Sequence, residues 1–193
     1  MDDLVHLNPP AALQAILDRT TALAFPMPSE PRTGAMLRVL AASKPGGRLL
    51  ELGTGTGLST AWLLDGMDRD ATLVSVDIDP GPQAVARDIL GGDPRLEIVT
   101  ADAAGFLRRQ VDASFDMIFA DAMPGKYDVL DAALALLRPG GLYVIDDMLP
   151  QDNWPQGHAE KVPLLVVDLA ARAALRIVSL AWSSGLVVAA RVG

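Results

Sequence analysis

The sequence predicts a single α/β domain, residues 1–193: a mostly parallel, seven-stranded sheet with helices on both faces and a C-terminal antiparallel hairpin. Three observations predict it. Short, nearly continuous apolar runs alternate with helix-like segments, the pattern of strands buried on both faces of a parallel sheet. Near the end, "RIVSLAWSSGLVVAARV" holds two strand-like runs separated only by "SSG". Three residues cannot carry a parallel crossover, so this pair forms an antiparallel hairpin. The chain has 193 residues, of which 50% are hydrophobic and 21% charged, enough for one full core.

Two helices are expected before the first strand, around Pro10–Ala24 and Arg32–Ser43, within an N-terminal segment of residues 1–44. The proline-rich "FPMPSEP" between them is a loop. Strands follow at Arg48–Gly53, Thr72–Asp79, Leu96–Asp102, Phe115–Asp121 and Gly141–Asp147. Between them lie helical segments at Leu58–Gly66, Pro82–Leu90, Ala103–Gln110 and Tyr127–Leu137, the last ended by "RPGG". No internal repeat or low-complexity tract interrupts this order.

Composition excludes several chemistries. There is no cysteine, which removes disulfides, zinc–thiolate sites and thiol nucleophiles. The two histidines, His6 and His158, are too few for a multi-histidine metal site, so any metal is held mainly by oxygen. The formal net charge is −8, and Arg108 with Arg109 is the nearest thing to a basic cluster. No nucleic-acid partner is expected from such a surface. The start, "MDDLVHLNPP", is acidic where a signal peptide is basic. The most apolar window, "VPLLVVDLAARAAL", carries Asp168 and Arg172, so no membrane partner and a cytoplasmic location are expected. The segment "VDLAARAAL" and the N-terminal helices are apolar enough to pair two copies as a homodimer.

Ligands of open parallel sheets bind beyond the carboxyl ends of the strands. Here Glu51, Asp77 with Asp79, Asp102, Asp121, and Asp146 with Asp147 stand at or near the ends of successive strands. In "LLELGTGTGLSTAWL", Leu49–Leu63, the glycines Gly53, Gly55 and Gly57 follow the first of these acids. Glycine lets a backbone turn sharply and approach a ligand closely. A dinucleotide fingerprint, G-x-G-x-x-G, would need glycine where Leu58 stands. A pyrophosphate also wants no neighbouring anion, whereas an acidic rim suits a cation. An NAD-dependent oxidoreductase is disfavoured on these grounds and by the terminal hairpin. Read singly, the glycines are also a tight turn, Asp77 a turn residue before "PGP", and Asp102 a helix N-cap.

"ELGTGTG" resembles the first motif of class I S-adenosylmethionine-dependent methyltransferases, a Rossmann-like family, and the resemblance runs from about Thr33 to the end. It implies that S-adenosyl-L-methionine is bound by Glu51, Gly53, Thr54, Gly55, Gly57 and Ser59. It further implies ribose binding by Asp77, with Ile78 beside it, and adenine binding by Asp102 and Ala103 of "TADA". Asp121 would stand at the methionine end.

The second half, "FDMIFADAMPGKYDVLDAALALLRPGGLYVIDDML", resembles the metal-dependent catechol and caffeoyl-CoA type of O-methyltransferase. That group holds a divalent cation (Mg, Mn or Ca) at positions matching Asp121, Asp146 and Asp147, the last usually asparagine in the family. The family's lysine, three residues after the first aspartate, is replaced by Pro124. Lys126 follows two residues later, before Tyr127, which matches the family's aromatic. A shifted loop would make Lys126 catalytic; a solvated surface lysine is the preferred reading. "LPQDNWPQGH", Leu149–His158, is expected to cross the strand ends, with Trp154 and His158 lining an acceptor pocket. His158 is either a general base, since imidazole titrates near neutrality, or a helix-start residue facing water, which is preferred. Trp62 and Trp182 are read as core. With a short segment before the first strand, the acceptor pocket is expected to be open. The implied activity is methyl transfer from S-adenosyl-L-methionine to a hydroxyl of a small molecule, with or without a metal; a non-catalytic binding module is the alternative.

Overall fold

Alternation along the strands divides the apolar side chains between two cores. Leu49, Leu73, Met117, Phe119 and Val144 face one side of the sheet, while Leu50, Leu52, Val74, Ile118 and Ile145 face the other. A computed structural model describes residues 7–193 of the chain. The acidic start "MDDLVH" lies outside the described residues.

The strands are β1 Arg48–Leu52, β2 Thr72–Asp77, β3 Leu96–Thr100, β4 Phe115–Ala120, β5 Leu137–Ile145, β6 Leu175–Leu180 and β7 Leu186–Arg191. They form one seven-stranded sheet in the order β3-β2-β1-β4-β5-β7-β6. The first five are parallel, and β7 runs antiparallel to both β5 and β6. The expected Rossmann-like sheet with a terminal antiparallel hairpin is therefore present.

The helices are α1 Leu13–Ala22, α2 Pro31–Ala42, α3 Leu58–Gly66, α4 Pro80–Leu90, α5 Ala103–Leu107, the irregular α6 Met123–Lys126, α7 Leu130–Ala135 and α8 His158–Ala171. The first four bury Ile16, Leu37, Trp62 and Val85 on one face of the sheet. On the other face α5, α7 and α8 bury Leu107, Ala133, Leu165 and Leu169. Helices α2 and α3 cross closely because their contact residues are small: a Cβ built on Gly34 would lie 2.2 Å from the Trp62 ring, and one on Gly66 would lie 2.2 Å from the Arg38 carbonyl oxygen. Among the described residues no helix is long and apolar enough to cross a membrane.

The structure departs from the sequence reading around "RPGG". The segment expected as one helix, Tyr127–Leu137, is helical only over Leu130–Ala135, because Val129 takes a left-handed φ of 53° and breaks the run. "RPGG" belongs to β5 rather than to a helix stop. The register shifts between the pairs Phe115–Leu137 and Met117–Leu142, and Gly140, at φ +79°, absorbs the extra residues. Trp62 is core, but Trp182 is not: it sits half-buried in the β6–β7 turn and donates to the Arg32 carbonyl at 3.0 Å.

Candidate cofactor and acceptor site

A cavity of about 480 Å³ opens at the carboxyl ends of the parallel strands. Its floor is the loop after β1. Gly53 sits at φ +102°, and a Cβ there would fall 2.6 Å from the Asp121 carbonyl oxygen. Only glycine fits both demands. The Gly55 amide donates to Asp77 Oδ2 at 2.8 Å, which ties the loop to the end of β2. Gly53, Thr54, Gly55, Asp77 and Ile78 line the cavity, as do Asp102 and Ala103. Asp102 is also the N-cap of α5, accepting from the amides of Ala104 at 3.3 Å and Gly105 at 2.8 Å.

Three residues expected at this rim are turned elsewhere. Glu51 is fully buried, and its Oε2 accepts from the Ser75 and Thr60 hydroxyls at 2.5 Å each. It follows the pleat toward α3 and does not line the cavity. Burial pushes its carboxyl up to about 7 against the hydrogen bonds from Ser59, Ser75 and Thr60. Ser59 is buried with it on α3 and is likewise off the cavity. Gly57 opens α3 at φ +95° and faces α4, where a Cβ would meet Ala86 at 2.8 Å.

At the other end Asp121, Asp146 and Asp147 bring carboxylate oxygens within 4.8 Å of one another. β4 and β5 are neighbours, so their terminal acids converge as the sequence suggests. Burial and the neighbouring acids drive Asp121 well above the usual carboxylate range. Burial likewise raises Asp146 to about 6, aided by Asp147. Asp147 is held low: burial opposes its charge, but Lys126 and the Gln151 amide outweigh it.

Lys126 is not a surface lysine. Only 3% of its side chain is exposed, and its Nζ lies 3.4 Å from Asp121 Oδ1 and 3.2 Å from Asp147 Oδ2. The cause is local. Pro124 is extended and Gly125 sits at φ +93°, so the chain doubles back and aims the lysine inward. Burial would lower its pKa, yet the three aspartates more than offset this and raise it. His158 does not face water either. It begins α8 but is 4% exposed, with Nε2 3.1 Å from the Asp147 carbonyl oxygen and 3.2 Å from the Tyr127 hydroxyl. Its ring lies 4.5 Å from that of Trp154. A carbonyl only accepts, so Nε2 is the donor in the Asp147 contact, while Nδ1 is buried without a protein partner.

A family profile described as a methyltransferase domain matches residues 50–148, just over half of the chain. The chain belongs to the methyltransferase-domain family. Over 120 residues it is 38% identical to the Mycobacterium tuberculosis protein named "Probable O-methyltransferase Rv1220c", a match covering 60% of this chain and 54% of that protein. The chain thus spans about half the length of the curated relatives it matches. Two solved structures share the fold. The O-methyltransferase TomG from Streptomyces achromogenes, in complex with S-adenosylmethionine, superposes with a TM-score of 0.84 at 24% identity, covering 98% of this chain and 93% of that one. An O-methyltransferase from Bacillus cereus, in complex with S-adenosylhomocysteine, gives 0.83 at 23% identity, with coverage of 97% and 93%.

Other wall residues of this methyltransferase domain carried no sequence signal. The α1–α2 loop folds over the cavity with Phe25, Met27 and Ser29, so the mouth is more covered than the short N-terminal segment suggests. Phe25 lies above the glycine loop, 3.3 Å from where a Gly55 Cβ would be. Asn153 donates to the Pro26 carbonyl at 3.2 Å, joining this loop to the one before α8. The Gln151 amide donates to Asp147 Oδ1 at 2.8 Å, and the Ser184 hydroxyl donates to Asp146 Oδ1. These come from chain segments far from the motifs they serve.

Three aspartates offer only oxygen, which suits a hard cation. But the Lys126 ammonium already bridges two of them, and Asp146 Oδ1 takes the Ser184 hydroxyl and the Asp147 amide. As arranged, the residues do not fit a metal ion. For S-adenosyl-L-methionine they do fit. Gly53 and Gly55 form a cradle that a Cβ would fill, Asp77 faces the cavity, and Asp121 offers carboxyl oxygens to a cationic end.

Proposed function

We propose that the protein is an S-adenosyl-L-methionine-dependent O-methyltransferase acting on a hydroxyl of a small molecule, with residues 1–193 as one such domain. One observation carries this reading. Asp121 joins the two halves of a single cavity: its carbonyl packs against Gly53 of the glycine loop, and its carboxylate pairs with Lys126. Donor and acceptor ends are therefore adjacent.

Bound in this cavity, the cofactor supplies the methyl group from a sulfonium. Asp77 would hold the ribose hydroxyls and Asp102 the adenine amine, since both line the cavity at the ends of β2 and β3. Asp121 faces the cationic methionine end. Lys126 donates a hydrogen bond to the acceptor oxygen and holds it as it becomes anionic. The hydroxyl proton leaves to solvent as the methyl group arrives, and His158, held by Tyr127 and the Asp147 carbonyl, forms part of the cavity wall. Met27, Met123 and Trp154 give the cavity an apolar wall for the acceptor. Holding the two reactants at attack distance supplies most of the rate.

Label transfer from methyl-labelled S-adenosyl-L-methionine to a panel of small phenols and alcohols tests the activity. Transfer with release of S-adenosylhomocysteine is expected. Cofactor binding without transfer to any acceptor would favour a binding module. The homodimer reading rests on the apolar face that α8 leaves exposed at Leu164 and Val167, and gel filtration tests it.

A further inference from the structure

We propose that the Lys126 ammonium takes the place of a divalent cation among Asp121, Asp146 and Asp147, so that methyl transfer here is metal-independent and accepts an isolated hydroxyl. The acceptor part rests on the methyltransferase reading above. Three observations support it.

The first is position. Nζ stands 3.4 Å from Asp121 Oδ1 and 3.2 Å from Asp147 Oδ2, between two of the three residues that could ligate an ion. An ion bound by the same oxygens would sit against an ammonium, and like charges that close repel strongly in a buried site.

The second is construction. The turn that delivers Lys126 is fastened on both sides of Gly125. Its amide donates to the Asp128 carbonyl at 2.7 Å, and its own carbonyl accepts from the buried Tyr143 hydroxyl at 2.7 Å. A Cβ on Gly125 would lie 2.6 Å from the Leu52 side chain. The backbone turn therefore starts the Lys126 side chain inward, toward the three aspartates.

The third is the hydrogen bonding of two of the carboxylate oxygens. Asp146 Oδ1 accepts from Ser184 and from the Asp147 amide, and Asp147 Oδ1 accepts from Gln151. A hard dication wants about six oxygens with waters among them, and these two oxygens already accept protein hydrogen bonds.

The chemistry of the acceptor follows. An ammonium has three donors, of which two are used by Asp121 and Asp147. The third is left for the cavity, which Lys126 lines. One donor holds one oxygen. A chelating vicinal diol is not required, and a compound with a single phenolic hydroxyl suffices.

Manganese binding by calorimetry and electron paramagnetic resonance tests this without any methyl transfer. Wild type is expected to show no saturable Mn2+ site, whereas Lys126→Met, which removes the charge but keeps the bulk, is expected to bind one equivalent. Lys126→Gln serves if the methionine variant does not fold. One tight Mn2+ site in wild type would overturn the proposal. So would no site in either protein, because the trio would then not be a cation site that Lys126 fills. A protein that follows the expected manganese pattern but binds no S-adenosyl-L-methionine would leave the ammonium's place standing and remove the methyltransferase reading.

Discussion

The Ser75 hydroxyl on β2 donates to Glu51 Oε2 on β1 at 2.5 Å, inside the sheet rather than at its rim. The same Ser75 oxygen lies 2.7 Å from the Thr54 hydroxyl in the glycine loop. An acid beside the cofactor motif thus belongs to the scaffold under it.

This makes stability depend on pH. Burial raises the Glu51 carboxyl from its ordinary 4.5 to about 7 in the fold. A raised acid favours the folded state only while protonated. Its contribution is complete below about 4.5 and is lost as pH climbs through about 7, a loss of about 3 kcal/mol. Glu51→Gln should escape that loss. Urea unfolding at pH 5 and pH 8 checks it: the variant should gain on wild type at the higher pH. An unchanged difference between the two proteins would mean that Glu51 is ionised in the fold.

Gly34→Ala should destabilise the domain by about 1–3 kcal/mol through overpacking. The added methyl would fall onto the Trp62 ring where α2 crosses α3. Thermal unfolding should show a midpoint several degrees lower, and an unchanged midpoint would contradict the close crossing.

Gly53→Ala should weaken cofactor binding more than it weakens the fold. The φ of +102° costs an alanine about 1–3 kcal/mol, and its Cβ meets the Asp121 carbonyl at 2.6 Å. Relief requires moving Gly53 or Asp121, both of which line the cavity. Equilibrium binding together with a melting curve separates the two effects. Normal affinity in a folded variant would show that the loop is only a turn.

The sheet was legible because its strands are buried on both faces and so read as apolar runs. Asp77, Asp102 and Asp121 were legible because strand ends converge in a parallel sheet, whatever the loops do. Orientation was not legible. Glu51 sits one pleat position from the other face of β1, and its register, with Ser75 and Thr60 as partners, turns it into the core. Lys126 was misread as solvated because its burial depends on the Pro124–Gly125 turn and on Tyr143, a β5 residue 17 positions later. His158 was misread because its partners, Tyr127 and the Asp147 carbonyl, come from other elements. "RPGG" misled because glycine and proline mark a bulged strand start as readily as a helix stop.

The proposed function requires that the glycine loop and Asp77 hold S-adenosyl-L-methionine. Calorimetric titration of wild type and Asp77→Ala with this cofactor, and with NAD as a control, tests it most directly. One site is expected for S-adenosyl-L-methionine and none for NAD. The variant loses a charge-assisted acceptor and the partner of the Gly55 amide. Its affinity should fall by roughly 10- to 150-fold, the equivalent of about 1.5–3 kcal/mol. No binding of S-adenosyl-L-methionine to folded wild-type protein, or equal affinity in the variant, would contradict the account.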